Sequence, residues 1–210
     1  MAEKLEIFDL KGKSLGFKDR DAFYTEARRE YAQKGKVTKQ VKTIRALVMN
    51  SAGRIYLQKR SKSKADNAGL YDKSVEGHVI KDTTFEMTLV KECAEELGFP
   101  ASIVLSADFE KAVRITDLSI VGIFRQVEQL SNFQARREQK DGTKYIQPYI
   151  TAMFVGYYNG AIRFVDGESS GVEVFSLDEL KEEIKKYPGK FTEDLLFLIK
   201  KYAKFLKPLH

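Results

Sequence analysis

The chain has one cysteine, no tryptophan, two histidines and four prolines in 210 residues, and each scarcity removes a class of protein. A single thiol, Cys93, closes no internal disulfide, so a disulfide-stapled scaffold is excluded. His78 is the only internal histidine, so no histidine metal cluster can form, and a structural strand position is expected for it. No apolar run approaches the ~18 residues of a membrane span. The opening MAEKLEIFDLKGK lacks the apolar stretch of a secretion signal. The expectation is a cytoplasmic protein with no membrane partner. Zinc-finger spacing, a basic zipper and an aromatic-rich RNA signature are all missing, so nucleic acid is not the expected partner.

What is present is ordinary core material, 43% apolar and 11% aromatic, in a length that suits one domain with additions. Charge is uneven. Residues 1–64 carry 17 Lys and Arg against 7 Asp and Glu, and the remainder carries 19 against 23, so a local +10 faces a local −4. A basic first third beside an acidic remainder suits a phosphate site next to a carboxylate-held metal, and equally suits a solvated basic surface.

Turn and cap signals divide the chain. Residues 5–16 predict a hairpin around Lys11-Gly12, and residues 20–33 a helix stopped by Gly35. Ile44–Met49 and Arg54–Gln58 predict a second hairpin across Asn50-Ser51-Ala52-Gly53. A short strand over 72–79 leads to Thr83-x-x-Glu86, which reads as a capping box for a helix from about residue 84. A helix over 106–115 follows, then β segments at 119–129 and 146–158 around a basic loop with the turn Asp141-Gly142. Short strands at 161–165 and 172–175 precede a helix capped by Ser176-x-x-Glu179, and a last helix runs from Thr192 to about Leu206. The outcome is mixed α/β.

The segment Gly77 to Phe99 ends in Lys91-Glu92-Cys93-Ala94-Glu95-Glu96-Leu97-Gly98-Phe99. Its three glutamates share about 100° of helix face, and like charges at that spacing repel by roughly 0.2–0.5 kcal/mol per pair. Such a face belongs on a wet surface or around a cation. Cys93, Leu97, Val90, Ala94 and Met87 predict a core stripe opposite the acids. Phe85 and Leu89 fall on the glutamate side, which predicts a helix wedged between two layers with its carboxylates in a partly enclosed space. Hard divalent ions take such oxygen ligands.

This segment resembles the Nudix box, G-x5-E-x7-R-E-U-x-E-E-x-G-U with U apolar. Gly77, Glu92, Cys93, Glu95, Glu96 and Gly98-Phe99 occupy matching positions. Tyr56-Leu-Gln-Lys-Arg-Ser61, the stretch from Gly69 to His78, and Ser176-Leu-Asp-Glu-Leu180 resemble the branch related to isopentenyl-diphosphate isomerase. The resemblance implies a Nudix-type α/β/α sandwich with a mixed β-sheet over residues 40–206, a C-terminal helix, and residues 1–39 as an N-terminal extension of hairpin and helix. It implies hydrolysis of a pyrophosphate bond in a nucleoside diphosphate linked to another moiety, with Mg²⁺ or Mn²⁺ as cofactor. Glu92 and Glu96 would be the main metal ligands, with Glu95 and the Gly77 carbonyl joining them, and Glu168 would be a base or extra ligand. Thr83 stands where the family has its first glutamate and Lys91 where it has arginine, a supporting pair whose loss typically costs about 10–100-fold in metal affinity or activity.

Arg60 and Lys64 follow a strand and could hold phosphate, or be solvated loop cations. Arg136 and Arg137 read as residues of a hairpin loop. Cys93 reads as a buried small apolar residue, which counts against the second function, an isomerase of the isopentenyl-diphosphate type using a cysteine and a glutamate. The third is a non-catalytic ligand-binding module, for which Thr83 and Lys91 speak. The N-terminal hairpin and helix would either cover the core or build a homodimer interface.

Overall fold

The computed structural model describes residues 3–163 and 169–209. The N-terminal hairpin pairs β1 (Lys4–Asp9) with β2 (Ser14–Asp19), with Gly12 in the left-handed region at its turn. It runs into α1 (Arg20–Lys34), which Gly35 closes at φ +66°, a backbone conformation that favours glycine. Strand β3 (Lys39–Met49) is the spine of the fold. It pairs in parallel with β9 (Lys144–Tyr157) along one edge. Along its other edge it takes β1, β6 (Val75–His78) and the start of β4 (Ile55–Arg60), all antiparallel. The short β5 (Tyr71–Asp72) and β10 (Ser169–Phe175) both pair with β4. Strand β8 (Gly122–Glu138) pairs antiparallel with β9, and β7 (Ala101–Ile103) runs parallel to β8 at the far edge.

The sheet has a core on each face. Ile44, Ala46 and Val48 pack with Leu89, Cys93 and Leu97 of α2 (Phe85–Glu96). Leu47 and Met49, pointing the other way, belong to a second core. That core includes Phe23 of α1, Val113 of α3 (Phe109–Ile115), Leu180 of α4 (Leu177–Lys186) and Leu195, Leu198, Ile199 and Tyr202 of α5 (Glu193–Tyr202). Helices therefore cover both sides of a mixed sheet, as expected for an α/β/α sandwich. Pairing of β1 with β3 lays the N-terminal hairpin on the chain's own sheet. Among the described residues no helix is long and apolar enough to cross a membrane.

Three expectations are corrected. Helix α2 starts one residue later than the Thr83 box implies. Thr84 is its cap, accepting from the Met87 amide at 3.2 Å, while the Thr83 hydroxyl donates to the Ile80 carbonyl. The region read as a basic loop is strand almost throughout, because β8 and β9 extend to a tight turn at Asp141-Gly142. The segment 161–163 is not a strand, and residues 164–165 of that expectation lie outside the described residues.

Candidate active site

The buried face of α2 differs from the expected stripe. Setting Leu89 at 0° and stepping ~100° per residue, Phe85, Cys93 and Leu97 fall at about −40°, 40° and 80°. This is the face against the sheet. Met87 is 56% exposed and Val90 and Ala94 also face outward, so the stripe through them is not core. Glu96, at about −20°, sits in the middle of the buried face, Glu92 at its edge and Glu95 beyond it. The apolar spacing permitted both settings of the helix, and contact with the sheet selects the one that buries Glu96 and half-buries Glu92.

Pairing of Ile44 with Gly77 turns Gly77 toward α2. A Cβ there would lie 2.7 Å from both Cδ and Oε1 of Glu92, so the absent side chain is what admits the carboxylate. Glu96 accepts hydrogen bonds from Gln58 Nε2 at 3.0 Å and from the Glu76 amide at 3.3 Å. Glu95 stays outside, its carboxylate 2.8 Å from Lys91 Nζ, which also lies 3.5 Å from Glu92. Lys91 thus binds the acids directly.

Glu92 is 14% exposed, and burial pushes its carboxyl up to about 7, with Lys91 only partly opposing this. Between its ordinary value of 4.5 and about 7 the folded protein holds a proton that the unfolded chain has lost. Metal-free stability therefore falls as pH rises through that window, by up to about 3 kcal/mol. Glu92→Gln is expected to abolish this loss, so that the metal-free variant melts above wild type at pH 8 but not at pH 4. Thermal unfolding at the two pH values checks it, and an unchanged gap contradicts it. Gly77→Ala is expected to cost about 1–3 kcal/mol through overpacking and to displace Glu92. Urea unfolding together with Mn²⁺ titration measures both effects.

Glu96 borders a cavity of about 300 Å³ that Arg60 and Lys64 also line. Arg60 is the last residue of β4 and no solvated loop cation. Its guanidinium lies 3.1 Å from Asp72 and donates to the Asp66 carbonyl. Behind this wall is a buried ionic network that sequence reading missed. Arg45 Nη2 lies 3.1 Å from both Glu76 and Asp194, and the guanidinium packs between the rings of Phe133 and Tyr149. Lys73 Nζ lies 3.0 Å from Asp72 and 2.9 Å from Glu76, while Arg137 lies 3.0 Å from Glu76. Burial alone would raise the Glu76 carboxyl, but Lys73, Arg137 and Arg45 outweigh it and hold it well below the ordinary range. The expectation of a loop fails for Arg137 because β8 alternates there. Phe133, Ala135 and Arg137 face inward while Gln134, Arg136 and Glu138 face out. A detectable signal was the charge run Asp72-Lys73-x-x-Glu76 inside a segment read as strand.

The second missed wall is α1. Arg20, Tyr24 and Arg28, at i, i+4 and i+8 on one helical stripe, line the same cavity. The Tyr24 hydroxyl sits 2.5 Å from His78 Nε2 and 3.1 Å from the Tyr149 hydroxyl, which ties α1 to β6 and β9. Burial, then Arg20, pushes His78 down to about 3, so it is a neutral partner of Tyr24, as a structural strand residue. Cys93 is buried and its thiol is pushed well up by burial. Glu168 lies outside the described residues.

Among the described residues no group of three or more acidic, cysteine or histidine side chains is arranged to hold a metal ion. The donors present nevertheless suit an open Mg²⁺ site. Such a site uses one or two carboxylates and leaves other positions to water and substrate phosphate. Glu92 in its Gly77 cradle and the enclosed Glu96 are the two carboxylates that would serve such a site.

Comparison with solved structures places this architecture among known folds. DR0079 from Deinococcus radiodurans superposes with a TM-score of 0.63 at 19% identity, over 94% of this chain and 98% of that one. The NUDIX domain of Shewanella oneidensis NrtR, complexed with ADP ribose, gives 0.53 at 15% identity over 87% of this chain and 98% of that one. MutT protein from Methanosarcina mazei Go1 gives 0.51 at 17%, over 79% and 94%. At these identities the likeness is one of fold. Comparison with curated protein sequences gives no match. The NUDIX domain family model matches residues 39–195, well over half of the chain and spanning the glutamate helix, and the protein therefore belongs to the Nudix family.

Proposed function

We propose that this protein is a divalent-metal-dependent hydrolase that cleaves a pyrophosphate bond in a nucleoside diphosphate linked to another moiety. The observation that carries the reading is Glu96, a carboxylate on the buried face of α2 that opens onto a cavity walled by Arg60 and Lys64. Glu92 and Glu96 would hold Mg²⁺ or Mn²⁺, with the Gly77 carbonyl beside them and Glu95 joining from the rim. A bound ion would supply charge neutralisation on the phosphates and a more acidic water.

The chain's own residues do the rest. Gln58 and the Glu76 amide orient Glu96 by hydrogen bonds. Arg60 and Lys64 draw the phosphates into the cavity. Lys73 and Arg137, fixed by Glu76 and Asp194, keep its inner wall rigid and cationic. Water adds to phosphorus, the bond to the bridging oxygen breaks, and two phosphate products leave. The water's proton passes to a base, for which Glu168 is proposed. Residues 1–39 are read as an extension that completes the cavity of a domain spanning 40–206.

The flanking segments keep an isomerase of the isopentenyl-diphosphate type as the comparison reading. Burial of Cys93 speaks against it, since a thiol under the sheet cannot exchange protons with a substrate. Incubation with Mg²⁺ or Mn²⁺ and a panel of nucleotide sugars, dinucleotides, nucleoside triphosphates, ADP-ribose and isopentenyl diphosphate separates the alternatives. Phosphorus NMR is expected to show P–O–P cleavage. Double-bond migration by proton NMR would install the isomerase, and thermal stabilisation by a ligand without either reaction would install a binding module.

A further inference from the structure

A second cavity, of about 530 Å³, adjoins the one that Glu96 borders, and Arg137 lines both. Along α1 the stripe of Arg20, Tyr24 and Arg28 continues to Tyr31, which lines the second cavity. Likewise Asp66 on the first wall is followed by Asn67 on the second. The two cavities differ in chemistry. Charged groups wall the first, whereas Phe191 is buried in the floor of the second and Tyr31, Leu70, Ile146 and Leu196 are half-buried around it. The Tyr31 ring stands edge-on to the Tyr145 ring, with centroids 6.4 Å apart, which fixes its place and leaves part of it exposed.

Asn67 supplies a polar group to this apolar surface. It is 8% exposed and sits at φ +52°, a conformation that asparagine and aspartate tolerate. Its backbone amide donates to the Glu138 carbonyl at 2.8 Å, and its Oδ1 accepts from the Glu138 amide at 3.0 Å. Because that amide can only donate, the side-chain oxygen faces it and Nδ2 is turned away. Among the described residues Nδ2 has no acceptor and, unlike Asp66 Oδ1, it is not sealed from solvent. Thr192 and Tyr145, which also line the cavity, already donate to Asp72 and Asp66. One fixed, open donor beside an aromatic ring suits a flat ligand that carries an acceptor on its edge. A sugar, with hydroxyls on every side, would find few partners there.

We infer that the second cavity takes the base of the nucleoside diphosphate, with Tyr31 against the ring and Asn67 Nδ2 donating to a ring nitrogen or carbonyl oxygen. Asn67 is thereby the residue that selects among bases. The inference rests on the hydrolase reading for the identity of the ligand but is tested by binding alone.

Calorimetric titration of the full chain in metal-free buffer with ADP, GDP, CDP, UDP and inorganic pyrophosphate isolates the base. The four nucleotides differ only there, and the tightest is expected to bind at least about tenfold better than both the weakest and pyrophosphate. Asn67→Asp keeps the oxygen that accepts from the Glu138 amide and replaces the donor by an acceptor. It should narrow the spread among the four nucleotides while leaving pyrophosphate unchanged relative to the weakest. Tyr31→Ala, on the half-exposed side of α1, should weaken all four and spare pyrophosphate, and Tyr31→Phe should restore them. Equal binding of the four nucleotides, no binding by any, or an unchanged spread in Asn67→Asp together with unchanged affinities in Tyr31→Ala overturns the inference. Base preference without any P–O–P cleavage in Mg²⁺ would sink only the hydrolase reading, and cleavage without base preference would sink only the inference.

Discussion

Glu96→Gln is expected to lower kcat/KM for pyrophosphate hydrolysis by about 10²–10³-fold, equivalent to about 3–4 kcal/mol of transition-state stabilisation, while leaving the fold intact. The substitution keeps an oxygen that accepts from Gln58 Nε2 and the Glu76 amide, so the local hydrogen bonds survive. It removes the charge that makes this oxygen a ligand for a hard cation. Steady-state rates at saturating Mg²⁺, with circular dichroism and the melting temperature as controls, measure the loss. A Glu96→Gln protein with near wild-type turnover would mean that the enclosed carboxylate on α2 has no part in the chemistry.

The second large effect concerns stability. Asp194, buried in the first turn of α5, is 3.1 Å from Arg45 and 3.6 Å from both Lys73 and Arg137. Arg45, Arg60, Lys73 and Arg137 share three acids there, Asp72, Glu76 and Asp194. Asp194→Ala leaves several buried cations with one acid fewer, and is expected to cost about 3–5 kcal/mol. That is a large fraction of the roughly 5–15 kcal/mol by which domains are stable. Urea denaturation measures it. The paired change Arg45→Met with Asp194→Leu, which removes both charges together, should recover most of the loss. A single-variant loss below about 1 kcal/mol would show the network to be solvated and weak.

Local signals were the legible part of the sequence. Gly35 ends α1, Ser176 with Glu179 forms a capping box on α4, and Asp141-Gly142 turns the long hairpin, each because a few adjacent residues determine the geometry. The spacing from Gly77 to Glu96 was legible for the same reason, and the structure adds why the glycine is required. Three things depended on distant partners. The rotation of α2 is set by which side chains meet β3 and β6, and Met87 and Val90 are as apolar as the residues that won. The ionic network joins positions 45, 60, 72, 73, 76, 137 and 194, separated by up to 149 residues, so no local window contains it. Arg20, Tyr24 and Arg28 show a helical stripe in the sequence, but only the pairing of the N-terminal hairpin with β3 turns that stripe toward Glu96.

The central claim is that Glu92 and Glu96 together hold the ion that serves phosphate chemistry. Titration of the protein with Mn²⁺, followed by electron paramagnetic resonance of the free ion, tests it without any substrate. Saturable binding in wild type that is lost in both Glu92→Gln and Glu96→Gln, with both variants folded, is the predicted result. Wild-type affinity retained in the two variants would contradict it.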